Sequence, residues 1–143
     1  MTAKAMNYVA KITKEDDEYI VSFPDKPNIN TCGESLEHAL EMAKEALNET
    51  LVCELEFGKH LVVPKTKGNA KKGLYAIPVK PEIEIAYMLF EARRDKPIAK
   101  VAKEAGISKQ AYRSFETPFA NPTFNTLSNI AKALGKNLEV RLV

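Results

Sequence analysis

Three side chains carry most of the chemistry legible in this chain. Lys109, Gln110 and Arg113 lie within Ile98-Ala-Lys-Val-Ala-Lys-Glu-Ala-Gly-Ile-Ser-Lys-Gln-Ala-Tyr-Arg-Ser-Phe115. The stretch reads as two short helices joined at Gly106. Val101, Ala102 and Ala105 bury one face of the first helix. Gly106 stands where a residue of positive φ ends it. Ile107 plugs the corner, and Ser108 has the short oxygen-bearing side chain that caps the next helix. Tyr112 and Phe115 face inward by the same spacing. Lys109, Gln110 and Arg113 then point outward near the start of the second helix. A glutamine pairs bidentately with adenine and an arginine with guanine, each good pair discriminating by ~1–3 kcal/mol. A small residue at Ala102, a turn glycine and apolar plugs are what a helix-turn-helix requires, its second helix offered to a major groove.

Ser108, Asn121 and Thr123 are placed to touch phosphates. The expected DNA-binding set is thus Ser108, Lys109, Gln110, Tyr112, Arg113, Asn121 and Thr123. Lys100, Lys103 and Lys132 add attraction that is blind to sequence, although at least half of such lysines are simply solvated. A module this small binds DNA weakly. A two-fold dimer reading half-sites about one helical turn apart is the expected solution.

A second constellation is acidic. Glu37, Glu41, Glu45 and Glu49 recur at i, i+4 along one helix. Like charges at that spacing cost a few tenths of a kcal/mol per pair. The plain explanation is a solvated helix face. The sharper one is a docking stripe for a cationic partner, joined by Asp25 just after a strand end. Asp25 has a plainer role too, capping or turning the loop before Pro27.

Catalytic constellations are missing. A two-metal nuclease gathers carboxylates at strand centres, yet there is none between Asn7 and Lys14. The acids at Glu15 to Glu18 belong to a turn. His38, His60, Cys32 and Cys53 have no metal-ligand spacing such as C-x-x-C. No nucleophile elbow or Gly-rich phosphate loop occurs. We therefore expect no catalysis, no metal and no cofactor.

Charge divides the 143 residues unevenly behind a net +2. Residues 1–57 carry five Lys/Arg against twelve Asp/Glu, a net of −7. Residues 58–79 carry five lysines and no acid, and residues 80–143 eleven bases against seven acids, a net of +4. The basic end suits a polyanion and the acidic end a cationic partner. Two cysteines are too few for a disulfide framework, and no apolar run approaches the ~20 residues of a membrane span. No signal peptide is recognisable at the N-terminus, so a cytoplasmic protein with free thiols is expected.

The elements that position these residues follow from periodicity. Residues 7–13 alternate, with Tyr8, Ala10 and Ile12 on one face. Glu15 to Glu18 is a polar turn, and Tyr19–Phe23 the second arm of a hairpin ended by Pro24. Ile29–Cys32 is a third strand. Ser35 caps a long helix whose Leu36, Ala39, Leu40, Ala43, Leu47 and Leu51 form one stripe. Leu61–Val63 and Leu74–Val79 are β-like runs around a basic stretch, Lys65–Lys72, expected to be mobile. Pro78 puts the second run at a sheet edge. Lys80-Pro81 marks the boundary: residues 1–79 form one module and 80–143 a second, whose first helix covers Ile83–Arg94. Leu138–Val143 alternates like a strand, and a lone strand pairs readily with the same strand of a second copy. The fold class expected is α+β: a small sheet with a long helix, then an all-α helix-turn-helix domain with a short C-terminal strand.

Two resemblances fit this division. Residues Ile83 to Gly135, with Asn121-Pro-Thr-Phe-Asn-Thr-Leu127 and Ile130-Ala-Lys-Ala-Leu-Gly135, resemble the Xre-type (phage-repressor-like) DNA-binding family. Pro97 and Ile98 stand where that family carries Thr and a phosphate-contacting Gln. The first module, through Tyr19-Ile-Val-Ser-Phe-Pro-Asp25, Thr31-Cys-Gly-Glu-Ser-Leu-Glu37 and Ala39-Leu-Glu-Met-Ala-Lys-Glu-Ala-Leu47, resembles the HicB antitoxin family. That resemblance implies a degenerate ribonuclease-H-like fold. It also implies a partner, a small basic HicA-like toxin that cleaves mRNA, neutralised by direct binding. The Xre-like half implies operator DNA and repression of the chain's own operon, with the chain a homodimer or higher even oligomer. Two other functions compete: a ligand-responsive repressor without a toxin, and a weak nuclease, which the missing carboxylates disfavour.

Overall fold

A computed structural model describes residues 6–142. The chain divides into two compact units, Met1–Glu84 and Ile85–Val143, so the division falls within a helix, four residues beyond Lys80-Pro81.

The first unit is a four-stranded antiparallel sheet under one helix. β1 (Asn7–Glu15), β2 (Glu18–Ser22), β3 (Asn30–Gly33) and β4 (Leu74–Pro78) lie in the order β3-β2-β1-β4. β1 and β2 form the expected hairpin, with Ile12 opposite Val21 and Glu15 opposite Glu18. Asp16 closes its turn at φ 53, a left-handed conformation that aspartate tolerates better than most residues. Tyr8, Ala10 and Ile12 are buried, and so are Val21, Phe23 and Ile29. β4 occupies the edge beside β1, which is why Pro78 is accommodated there.

Helix α1 (Leu36–Glu56) lies across the sheet and touches all four strands. Its buried stripe is Ala39, Ala43, Leu47, Leu51 and Leu55, with the polar Asn48 among them. Leu36 is exposed and Leu40 only half-buried. Burying each leucine contributes about 1.5–3 kcal/mol. The cap is reciprocal. Ser35 Oγ accepts from the His38 backbone N–H, and His38 Nδ1 accepts from the Glu34 N–H, at 3.0 and 3.1 Å. Asn48 ties this helix to the end of β4. Its amide nitrogen donates to the Pro78 carbonyl, and its oxygen accepts from the Lys80 N–H at 2.8 Å.

Two expectations for the basic stretch change. Leu61–Val63 is not a strand: the sheet ends at β3 and β4 without it, and Val62 and Val63 are exposed. β-Branched residues favour strands only where a pleated surface receives them. Nor is Lys65–Lys72 a free loop. It is anchored at Lys65 and Thr66 by Asp25, and it ends in a 3-10 turn, Ala70–Lys72, closed by Gly73 at φ 73.

The second unit is helical. α2 (Pro81–Arg93) begins in the first unit and ends in the second. α3 (Ile98–Ala105), α4 (Lys109–Phe115) and α5 (Phe124–Ala133) follow. Leu89, Val101, Ala102, Ala105, Tyr112, Leu127, Ile130 and Leu134 form their shared core. The expected C-terminal strand does not form within one copy. Residues 138–142 make no backbone hydrogen bond among the described residues, and a strand exists only with a partner. Val143 lies outside the described residues.

Candidate nucleic-acid interface and acidic face

α3 and α4 meet at the corner the spacing predicts. Gly106 adopts φ 74, and its N–H bonds back to Lys103, while Ile107 N–H reaches the Ala102 carbonyl at 3.0 Å. Those two bonds satisfy carbonyls that the end of α3 leaves open. Ser108 caps α4, its Oγ accepting from the Ala111 N–H at 3.0 Å. That uses a lone pair and leaves the hydroxyl proton free to donate, as a phosphate contact needs.

Lys109, Gln110 and Arg113 are all exposed on α4. They share its outer surface with Ser108, so four of the predicted residues come together. Asn121 is exposed in the loop that follows, and Lys100, Lys103 and Lys132 are exposed too. Thr123 is engaged differently from expectation. It caps α5 by accepting from the Thr126 N–H and donates to Thr126 Oγ1 at 3.0 Å. The free hydroxyl proton at that corner therefore belongs to Thr126, which the spacing did not mark.

Tyr112 is removed from the DNA-binding set. It is fully buried in the helical core and cannot reach a nucleic acid. Its hydroxyl is buried with no partner at hydrogen-bond geometry. Burial, then the nearby Glu116 carboxylate, push the phenol above its ordinary range, with Arg93 opposing. Arg93 and Glu116 themselves form a two-pronged ion pair joining α2 to the end of α4. Sequence reasoning missed it, since the partners lie on separate helices with no periodic relation.

The acidic residues divide as sharply. Glu37, Glu41, Glu45 and Glu49 are exposed along α1, and none forms an ion pair among the described residues. Asp25 is not in that stripe; it sits in the turn before Pro27, which the Lys26 N–H closes on the Phe23 carbonyl at 3.0 Å. Its Oδ2 accepts from the backbone N–H groups of Lys65 and Thr66, both at 2.9 Å, and its Oδ1 from the Thr66 hydroxyl at 3.1 Å. These bonds, the Thr66 amide first, hold the carboxyl below its ordinary 3.8. Asp25 is therefore an anchor for the basic stretch and not a free docking charge.

Next to it Lys26 is buried and paired with Glu54 of α1 at 2.7 Å. Its Nζ also sits 5.8 Å from the Tyr8 ring centre. The Tyr8 hydroxyl donates to the Val62 carbonyl. Burial, with Glu54 and Asp25 adding negative charge, pushes that phenol up to about 12. Nothing local marks Lys26 as buried. A shallow cleft of about 370 Å³ opens here, lined by Asp25, Lys26, Glu54, Lys59, His60 and Val62 among others. Lys26 and Glu54 neutralise each other within it.

Among the described residues no group of three or more His, Cys, Asp or Glu side chains could hold a metal ion. Cys32 and Cys53 are free and exposed. No helix is long and apolar enough to cross a membrane.

Comparison with known proteins matches both halves. Residues 7–86 match the family model described as HicB_like antitoxin of bacterial toxin-antitoxin system, and residues 89–140 match a helix-turn-helix model. The chain is 27% identical over 138 residues to "Antitoxin HicB 2" of Photorhabdus laumondii subsp. laumondii, covering 96% of this chain and 97% of that protein. It is 25% identical over 130 residues to "Antitoxin HicB 1" of the same organism, covering 90% and 81%. A crystal structure of the N-terminal domain of Burkholderia pseudomallei antitoxin HicB aligns at 21% identity and TM-score 0.41, over 52% of this chain and 96% of that one.

Proposed function

The chain belongs to the HicB-like antitoxin family, and from that premise we propose that it neutralises a small, basic, HicA-like mRNA-cleaving toxin and represses its own operon. One observation carries the proposal: an antitoxin-family unit over residues 7–86 and a helix-turn-helix over 89–140 occupy one chain. The antitoxin unit bears the exposed glutamates of α1, and the helix-turn-helix the exposed Lys109, Gln110 and Arg113.

Neutralisation is steric and electrostatic. Glu37, Glu41, Glu45 and Glu49 attract the cationic face of the toxin, and the sheet unit then covers it. Charge of this kind speeds encounter and sets specificity more than it adds raw affinity. Neither step needs catalysis or a cofactor. On DNA, two copies related by a two-fold axis place their α4 helices in successive major grooves. Gln110 and Arg113 read base edges, while Ser108 and Asn121 fix the register on phosphates. Affinity falls steeply with salt as counterions return to the DNA. A partner that cleaves mRNA and an operator on DNA support a cytoplasmic location.

The test is recovery of the full-length chain from its native host. The expected companion is one small basic protein that cleaves mRNA once freed and is silent in the complex. Recovery of no such protein would sink the toxin half of the proposal. Failure to retard DNA from upstream of its own reading frame would sink the repressor half.

A further inference from the structure

We propose that Leu138–Leu142 pairs with the same five residues of a second copy as an antiparallel ribbon centred on Val140, so that Glu139 of each copy faces the partner's Arg141. This rests on the two-fold DNA-binding reading above and supplies the register that reading lacks.

The chain leaves α5 at Gly135 and runs on without regular structure. Among the described residues no backbone group of 138–142 finds a hydrogen-bond partner. Leu138, Val140 and Leu142 are 39%, 60% and 101% exposed. Apolar side chains at period two on an unpaired backbone make a strand edge, and such edges invite another strand.

The order of charges selects the occupant. The segment reads Leu-Glu-Val-Arg-Leu. Reversed, every apolar position falls on an apolar one and the acid falls on the base. Antiparallel pairing about Val140 therefore sets Leu138 against the partner's Leu142, Val140 against the partner's Val140, and Glu139 against the partner's Arg141. A register centred one residue earlier opposes Glu139 to the partner's Glu139. One centred a residue later opposes Arg141 to the partner's Arg141. Half-step registers set charged side chains opposite apolar ones. Only the register on Val140 places opposite charges across the ribbon and keeps its apolar face continuous.

Within one copy Arg141 already bonds Glu139, its Nε donating to Oε1 at 2.8 Å, so the two side chains share a side of the chain. The ribbon then carries a square of four charges, alternating in sign, on one face. Its other face presents six apolar side chains. A two-stranded ribbon is marginal alone, so that face needs cover from the helical units.

The test uses the full-length chain with Cys32→Ser and Cys53→Ser. Directly opposed strand residues lie about 4.5–5.5 Å apart at Cα, within disulfide range. Val140→Cys should cross-link to itself under mild oxidation. Leu138→Cys and Leu142→Cys should each stay uncross-linked alone and cross-link when mixed. Separately, Glu139→Arg and Arg141→Glu should each weaken self-association about ten-fold or more, by sedimentation. An equal mixture of the two should restore it, because the chain with two basic side chains on that face then meets a partner with two acidic ones. A dimer indifferent to all these changes that still shifts its upstream DNA would overturn the ribbon and leave the DNA reading standing. A chain that neither dimerises nor shifts that DNA would overturn both.

Discussion

Arg93 at the end of α2 holds Glu116 at the end of α4 through two parallel bonds, Nε to Oε2 at 2.6 Å and Nη2 to Oε1 at 2.9 Å. A third guanidinium nitrogen, Nη1, donates to the Lys96 carbonyl at 3.0 Å. One arginine thus fixes the C-terminal end of the DNA-facing helix and the loop before α3. Both partners are largely buried. Losing one leaves the other charge poorly solvated, so Glu116→Leu alone should destabilise the helical unit by about 2–3 kcal/mol. Arg93→Met with Glu116→Leu should recover much of that loss. Urea denaturation of the four corners of this cycle checks it. A double variant as unstable as the sum of the singles would mean the pair is not coupled.

Two glycines should respond differently to alanine. A Cβ at Gly33 would lie 2.4 Å from the Ala39 backbone nitrogen and 2.7 Å from its Cα, so β3 and α1 could not keep their contact. A Cβ at Gly106 meets nothing within 4 Å, but the residue holds φ 74. Gly106→Ala should cost about 1 kcal/mol of conformational strain. Gly33→Ala should cost more, about 2–3 kcal/mol, through overpacking against backbone. Thermal unfolding of the two variants decides. Equal losses would mean that α1 shifts easily.

The parts of this molecule that were legible beforehand are those whose signals are local. The hairpin, the α1 stripe and the Gly106 corner each repeat at period 2 or 3.6 or sit in a turn of fixed geometry. The missed features join residues far apart in the chain. Lys26 meets Glu54, Asp25 meets Thr66, and Asn48 meets Pro78, across 28, 41 and 30 positions. No periodicity announces such pairs, because they exist only once α1 has docked on the sheet. Leu61–Val63 shows the converse. Its Val62 and Val63 stay exposed, so no pleated surface receives the run, and it remains coil. The DNA-facing residues were legible because one short helix carries most of them. Tyr112 reads both as inward-facing and as a DNA contact; its burial keeps the first reading and removes the second.

Asp25 should make the basic stretch sensitive to acid. Its carboxyl titrates below the ordinary 3.8, chiefly because the Thr66 amide bonds the charged form. A depressed folded value contributes stability that is complete above the unfolded value and is lost as pH falls through the folded one. The Thr66 and Lys65 amide resonances should therefore hold steady above about pH 4 and move together below it. Asp25→Asn should abolish that movement. A midpoint above 3.8 would contradict the anchor.

The exposed acids of α1 should matter to a partner and not to the fold. Glu41→Lys with Glu45→Lys disrupts no ion pair among the described residues, so unfolding should shift by less than about 0.5 kcal/mol. Toxin association should slow about ten-fold or more and lose most of its salt dependence, as expected when steering charges reverse sign. Stopped-flow binding at two ionic strengths separates this from a plain solvated face, for which both rate and salt dependence would stay as they are.

Tyr112 and Arg113 are neighbours in sequence with opposite duties, and paired substitutions should show it. Tyr112→Phe removes a buried hydroxyl that makes no well-formed hydrogen bond but lies beside Glu116 and Arg93, and it changes nothing on the outer surface of α4. The helical unit's stability should move by less than about 1 kcal/mol, because the lost contacts to that ion pair are offset by the desolvation the hydroxyl no longer needs. DNA affinity and salt dependence should stay unchanged. Arg113→Ala should do the reverse. Its side chain is exposed, so stability should barely move. Discrimination at one base pair should fall by ~1–3 kcal/mol, while binding to unrelated DNA weakens far less. Lys132→Ala should instead weaken all sequences alike and reduce the salt slope by about one. Titrations against the upstream DNA and a scrambled duplex, at two salt concentrations, sort the three. If Arg113→Ala lowers both duplexes equally, Arg113 contacts phosphate and the base-reading role belongs to Gln110 or Lys109.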